Sequence, residues 1–176
     1  MSSDLTTFSY VILALVGEGG AGAHDLVESQ RRAGRAYWFT SRRNMYAEPK
    51  RLAGLGYLSA TNEPGRTHDR TVYRLTKRGK QALREWVRQP TPFARIQSEA
   101  PLRLVAGYLV QDGQLLASLR ALGAELEAVS AGIDQAERYA ATLPHRERYL
   151  RLVHSLGRHL VEAHRQWLEE VERELG

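Results

Sequence analysis

Thr40–Arg78 reads TSRRNMYAEPKRLAGLGYLSATNEPGRTHDRTVYRLTKR, and these thirty-nine residues decide the fold. The stretch opens with a cap and a helical pattern, becomes extended after Gly54 and Gly56, turns, extends again and ends in a new helix start. Thr40 or Ser41 can cap a helix that reaches about Leu55, with a bulky residue in front as a staple. On that helix Met45, Pro49 and Leu52 share one side. The other side carries Arg43, Ala47 and Lys50, flanked by Asn44 and Arg51, so a cationic face has a small residue at its middle. Proline inside a helix removes one backbone bond and costs about 3 kcal/mol, so a kink at Pro49 or a later helix start is expected. Tyr57–Thr61 and Arg70–Leu75 are rich in β-branched and aromatic residues, and Asn62-Glu63-Pro64-Gly65 between them is turn chemistry. The result is a hairpin whose tip carries Arg66 and His68, with Arg70 at the strand entry. Thr76 then caps a helix to about Val87, with Leu83, Trp86 and Val87 on its inner side.

Charge concentrates on the same region. The net charge is +5 over 176 residues, but residues 1–95 hold sixteen Lys/Arg against eight Asp/Glu, and residues 96–176 hold nine against twelve. Residues 31–88 alone carry fifteen basic and four acidic side chains. Such a surface attracts phosphate by counterion release, and the excess is mostly arginine, whose fork suits phosphate and guanine. Apolar residues make up 43% of the chain, which places it among folded proteins. No cysteine is present, so disulfides, thiolate metal sites and cysteine nucleophiles are excluded, in keeping with a reducing interior. The N-terminus has no basic n-region and the longest apolar run, Tyr10–Val16, is too short for a bilayer, so a cytoplasmic protein without a membrane partner is expected.

Outward from the opening stretch, Leu5, Phe8, Val11, Ile12, Leu15 and Val16 follow helical spacing, with Ser3 or Asp4 as cap and Gly17 as stop. Tyr10, Leu13 and Ala14 fill the other side, so this helix is expected to be buried on most faces. A second, weaker helix is predicted from Gly22 to Ala33 around Leu26 and Val27. Beyond Val87, Gln89-Pro90-Thr91-Pro92-Phe93 is a stiff linker. Pro101 suits the first turn of a short helix that reaches about Val110. A longer one from Asp112 or Gly113 carries Leu115, Leu119, Leu122, Leu126, Val129, Ile133, Ala136, Ala140 and Leu143 at alternating spacings of four and three, a heptad seam. Pro144 ends it. His145–Leu175 then presents Leu150, Val153, Leu160, Trp167 and Val171, and the two helices are expected to pair as an antiparallel hairpin that closes on a second chain or on the N-terminal domain. Leu115, Leu119, Leu122, Leu126, Val129, Ile133, Leu160 and Trp167 are the candidate dimerisation residues. The same seam could instead close within one chain.

Three helices, a hairpin and a helix, with Asn44-Met45-Tyr46, then Lys50-Arg51-Leu52-Ala53-Gly54-Leu55-Gly56-Tyr57-Leu58, then Tyr73-Arg74-Leu75-Thr76-Lys77-Arg78-Gly79, resemble the PadR family of winged-helix transcriptional regulators over roughly residues 5–90. Y-x-L-T-x-x-G is the most specific segment. Gly22-Ala23-His24-Asp25-Leu26 departs from the Gly-Tyr-x-Leu pattern of many members. The resemblance implies a homodimer on a two-fold, pseudo-palindromic operator in double-stranded DNA, usually a repressor released by a small molecule or a stress signal. It also adds Tyr46 to the reading helix. The candidate DNA contacts are then Ser41, Arg42, Arg43, Asn44, Tyr46, Ala47, Lys50 and Arg51 on the helix, with Arg66, His68 and Arg70 on the wing. Trp38, Trp86 and Phe93 are the candidate lining of a pocket for a small aromatic or drug-like effector.

The expected fold is therefore mainly α. A winged helix-turn-helix of three helices and a two-stranded wing occupies residues 1–90, a linker 91–97, and a long helical hairpin for dimerisation 98–176. His145, His154, His159 and His164 are spaced by nine, five and five, which does not pair two of them one turn apart, so no metal is expected. No nucleophile motif is present, and Gly17-Glu18-Gly19-Gly20-Ala21-Gly22 follows a helix rather than a strand, which makes an enzyme or a bound cofactor unexpected. The competing reading is a protein–protein interaction module that uses the same fold without an operator.

Overall fold

Thr6 and Ser9 start the first helix of the computed structural model, which describes residues 4–30, 41–64, 69–93 and 97–176. The Thr6 side chain accepts from the Ser9 amide and the Ser9 hydroxyl accepts from the Thr6 amide, so two otherwise unpaired donors are satisfied reciprocally. Helix α1 accordingly spans Thr7–Val16, and its cap lies two residues beyond Asp4. Ser3, the other expected cap, is outside the described residues. Tyr10, Ile12, Leu13 and Val16 are buried, and Gly17 ends the helix with φ +58°.

The chain divides into two compact units, Met1–Pro92 and Phe93–Gly176. In the first, a two-residue strand β1, Ala21–Gly22, precedes helix α2, Ala23–Ser29, where the Asp25 carboxylate accepts from the Gly22 amide at 2.9 Å. Helix α3 runs Arg42–Gly54 with Ser41 as its cap. Pro49 sits inside α3, buried beside Met45 and Leu52, and the helix continues through it. Strands β2, Leu58–Glu63, and β3, Arg70–Leu75, pair antiparallel from Leu58 opposite Leu75 to Glu63 opposite Arg70. Asn62 and Glu63 are thus strand residues rather than turn. The sheet order is β1-β3-β2, one strand more than the expected wing, because Ala21 and Gly22 pair with Tyr73 and Val72. Gly20, at φ +78°, brings β1 so close to β3 that a Cβ there would crowd Arg74 and the Tyr73 carbonyl.

Helix α4 spans Lys77–Val87 and accounts for the Y-x-L-T-x-x-G segment. Thr76 caps it by accepting from the Gly79 amide at 3.0 Å, and the same hydroxyl donates to the Gly56 carbonyl at 2.7 Å. Gly79 is buried under the Tyr57 carbonyl, where a Cβ would overlap that oxygen. Arg78 donates to the Leu55 carbonyl at 2.8 Å and lies 4.3 Å over the Tyr57 ring. The motif therefore fastens α4 to the turn between α3 and β2. Leu83 and Trp86 pack on the core of this unit, whereas Val87, read as inward, is exposed.

The second unit contains α5, Glu99–Val105, a 3-10 turn, Gly107–Leu109, then α6, Asp112–Ala140, and α7, Pro144–Leu175. Ser98 caps the first of these, Pro101 lies in its first turn as expected, and the helix ends at Val105 rather than Val110. Leu115, Leu119, Leu126 and Ile133 are buried and Leu122 and Val129 partly so, in clusters completed by Val161, Trp167, Leu168 and Val171 of α7. The heptad seam therefore closes α6 on α7 of the same chain. Polar pairs border it: Arg165 bonds Glu127 at 2.8 Å, and Arg158 reaches Asp134 at 2.8 Å and Glu137.

His154 and Gly157 of α7 are buried with Val161, so the α7 side of the seam differs from the expected set. Val153, expected inward, is exposed. His154 is 4% exposed and its Nδ1 has no hydrogen-bond partner among the described residues. Burial holds its pKa below the ordinary 6.5, against the pull of Glu137. The fold thus favours neutral imidazole and the unfolded chain takes up the proton first. Stability should be full above pH 6.5 and fall as pH drops from there through the lowered folded value. Melting curves between pH 8 and 5 check this, and His154→Leu should flatten the slope; equal slopes would refute it.

Candidate nucleic-acid interface

Helix α3 separates its residues by chemistry. Met45, Pro49 and Leu52 face the core, and Leu52 and Met45 are among its most enclosed side chains. Residues 43, 46, 47, 50 and 54 then fall on the opposite side of a 3.6-residue period, giving Arg43, Tyr46, Ala47, Lys50 and Gly54, all exposed. Ser41, Arg42 and Asn44 are exposed at the N-terminal end. Arg42, Arg43 and Lys50 make no ion pair among the described residues. Ala47 leaves a gap between two cations, which suits close approach to a base edge.

Arg51 stands apart from this strip. Its Nε and Nη2 bond both oxygens of Glu48 at 2.8 and 2.7 Å, Nη2 also meets the Ser9 hydroxyl at 3.0 Å, and Nη1 donates to the Asp4 carbonyl at 3.0 Å. The Ser9 hydroxyl donates to Glu48 at 2.7 Å. Hydrogen bonds from Arg51, then from Ser9, hold the Glu48 carboxyl below the ordinary range despite its burial. Glu48 was not among the sequence candidates, although it is the one acid between Glu28 and Glu63 and lies beside the core face of a basic helix.

On the wing, Arg70 pairs with Asp25 at 3.4 Å and Arg74 with Glu63 at 2.6 Å, both at the surface. Arg66 and His68 lie outside the described residues, as does Trp38. An open cleft of about 290 Å³ lies between α2, α3 and β3, lined by His24, Asp25, Tyr46, Arg70 and Thr71 among others. Tyr46 and Arg70 thus share one concavity. Of the aromatic trio, Trp86 stacks on Tyr10 with ring centres 5.0 Å apart and planes 7° from parallel, and Phe93 is exposed. The stack assigns Trp86 to core packing.

No protein-family model matches the chain, and no curated protein matches it in sequence. Solved structures do match, and over nearly the whole length. Bacillus subtilis PadR in complex with operator DNA superposes with a TM-score of 0.77 at 19% identity, covering 97% of this chain and all of that one. The same protein in complex with p-coumaric acid gives 0.63 at 18%, covering 95% and 99%. The Vibrio cholerae virulence activator AphA gives 0.73 at 24%, covering 96% and 98%. At these identities the likeness is one of fold: a mainly helical chain with the winged-helix unit and helical extension of PadR-type regulators.

Proposed function

We propose that this chain is a PadR-type transcriptional regulator that binds double-stranded DNA as a homodimer. The observation that carries the reading is the outward strip of α3, Arg43-Tyr46-Ala47-Lys50, set on a helix whose opposite side is fixed in the core. A helix of this kind fits the major groove, and the wing beside it reaches the backbone. The Bacillus protein of the same fold is seen on operator DNA.

A second copy of the chain is the partner, and α7 offers the surface. Tyr149, Leu152, Val153 and Leu156 are 65, 62, 45 and 53% exposed and form a stripe beside the seam that holds α6. Residues 144–160 contain four arginines and one glutamate, a net +3, and residues 161–175 contain two arginines and five glutamates, a net −3. Antiparallel pairing of two α7 helices places each basic half against an acidic one, and parallel pairing opposes like charges.

Selection of bound duplexes from random DNA should return a two-fold symmetric site. Arg43→Ala and Lys50→Ala should each weaken binding to it by at least about 1 kcal/mol, read by gel shift at fixed salt. Unchanged affinity in both would remove these residues from the groove. Affinity should also fall by orders of magnitude as salt rises. A weak, salt-insensitive association with DNA would favour the protein-assembly module instead.

A further inference from the structure

Ser9 is fully buried, yet its hydroxyl joins four groups: the Thr6 amide and hydroxyl at the start of α1, and Glu48 and Arg51 of α3. Both Glu48 oxygens and four of the donor positions of Arg51 are used inside this cluster or on the Asp4 carbonyl. We propose that Glu48 and Arg51 are positioning residues, a clamp that fixes α3 to the capped end of α1 and so sets the angle at which Arg43, Tyr46, Ala47 and Lys50 meet DNA. This inference rests on the DNA-reading role of α3.

The location of the clamp supports it. Pro49 has no N–H, so α3 lacks one rung of its backbone ladder, the bond back to the Met45 carbonyl across the turn that contains Glu48. A helix with a missing rung bends more easily, and side-chain anchors on both sides of Pro49 oppose that bending. The fork of Arg51 is occupied by the carboxylate, so its charge serves the fold rather than a phosphate. The hydrogen bonds from Arg51 and Ser9 favour the ionised form of the Glu48 carboxyl and hold its pKa below the ordinary range.

Charge and positioning predict opposite signs for Glu48→Gln. Removing a carboxylate beside a cationic strip should tighten binding to every duplex if charge alone matters. A lost clamp should instead weaken binding to the selected operator by about tenfold or more, with binding to a scrambled duplex equal or tighter. Arg51→Lys keeps the charge but loses the fork, and should show the same operator loss with an unchanged salt slope. Amide exchange across residues 42–54 should accelerate in both variants, with β2 and β3 unaffected. Operator affinity retained by Glu48→Gln or by Arg51→Lys overturns the proposal. If Glu48→Gln does not fold, Ser9→Ala takes its place with the same expected readings. If the wild-type chain selects no operator, the DNA-reading role fails separately, and unchanged exchange across 42–54 in the variants still refutes the clamp.

Discussion

Leu156→Glu is expected to convert the protein from a dimer to a monomer of 19.9 kDa and to reduce operator affinity by roughly 100-fold or more. Leu156 is half-exposed and lies off the seam, where His154, Gly157 and Val161 hold α7 against α6. The substitution should therefore leave the hairpin intact and act on the surface between copies. In the proposed dimer two reading helices engage their half-sites together, and its loss means that the second contact is no longer intramolecular. The charge polarity of α7 adds a sharper expectation. Leu156 lies in the basic half, and in the proposed antiparallel dimer it faces the acidic half of the partner. Glutamate there meets like charge and arginine meets opposite charge, so Leu156→Arg should dissociate the dimer less. Native mass measurement reads both variants. The reverse order would indicate parallel pairing, and an unperturbed dimer in both would place the interface elsewhere.

Gly79→Ala is expected to be the most destabilising single-methyl change in the first unit, by about 3 kcal/mol. The new Cβ overlaps the Tyr57 carbonyl oxygen, which is backbone and is itself fixed by accepting from the Thr76 amide at 3.2 Å. Relief requires α4 to move off the β2 entry, which also disturbs Arg78 over Tyr57 and the Trp86–Tyr10 stack. For a unit of this size such a loss lowers the melting temperature by roughly 12–24 °C. The transition of the first unit should shift while that of the helical hairpin stays. Ala at Gly54, where a Cβ meets nothing within 4 Å, is the matched control and should be close to neutral. Equal effects at the two glycines would refute the packing account.

Much of the first unit was legible because its elements carry local signals. Ser41 and Thr76 cap where their hydroxyls predicted, and the β-branched and aromatic content of Arg70–Leu75 is that of a strand. The first cap was misplaced because Thr6-x-x-Ser9 closes a capping box with serine where the usual pattern has Glu or Gln. Strand β1 is two residues long, too short to display any period. The α7 seam was misread for a different reason. That helix carries apolar residues on two adjacent faces, and the face that closes on α6 includes His154 and Gly157. A search for hydrophobic spacing passes over both and picks up Val153 instead, which belongs to the outer stripe. In the site, the cationic strip was visible as composition and period, whereas the role of Arg51 depends on Ser9 and Asp4, more than forty residues away.

The division of labour within α3 has a consequence for how such proteins diverge. Met45, Glu48, Pro49, Arg51 and Leu52 supply the anchoring of the helix, and Arg43, Tyr46, Ala47 and Lys50 contribute little to it. Substitutions in the outward set are therefore nearly free of folding cost, so, on the proposed DNA-reading role of that set, a duplicated copy can drift to a new DNA address one side chain at a time while every intermediate remains a folded protein. The anchor set has no such latitude, and the addressing code and the chassis that carries it evolve under separate constraints.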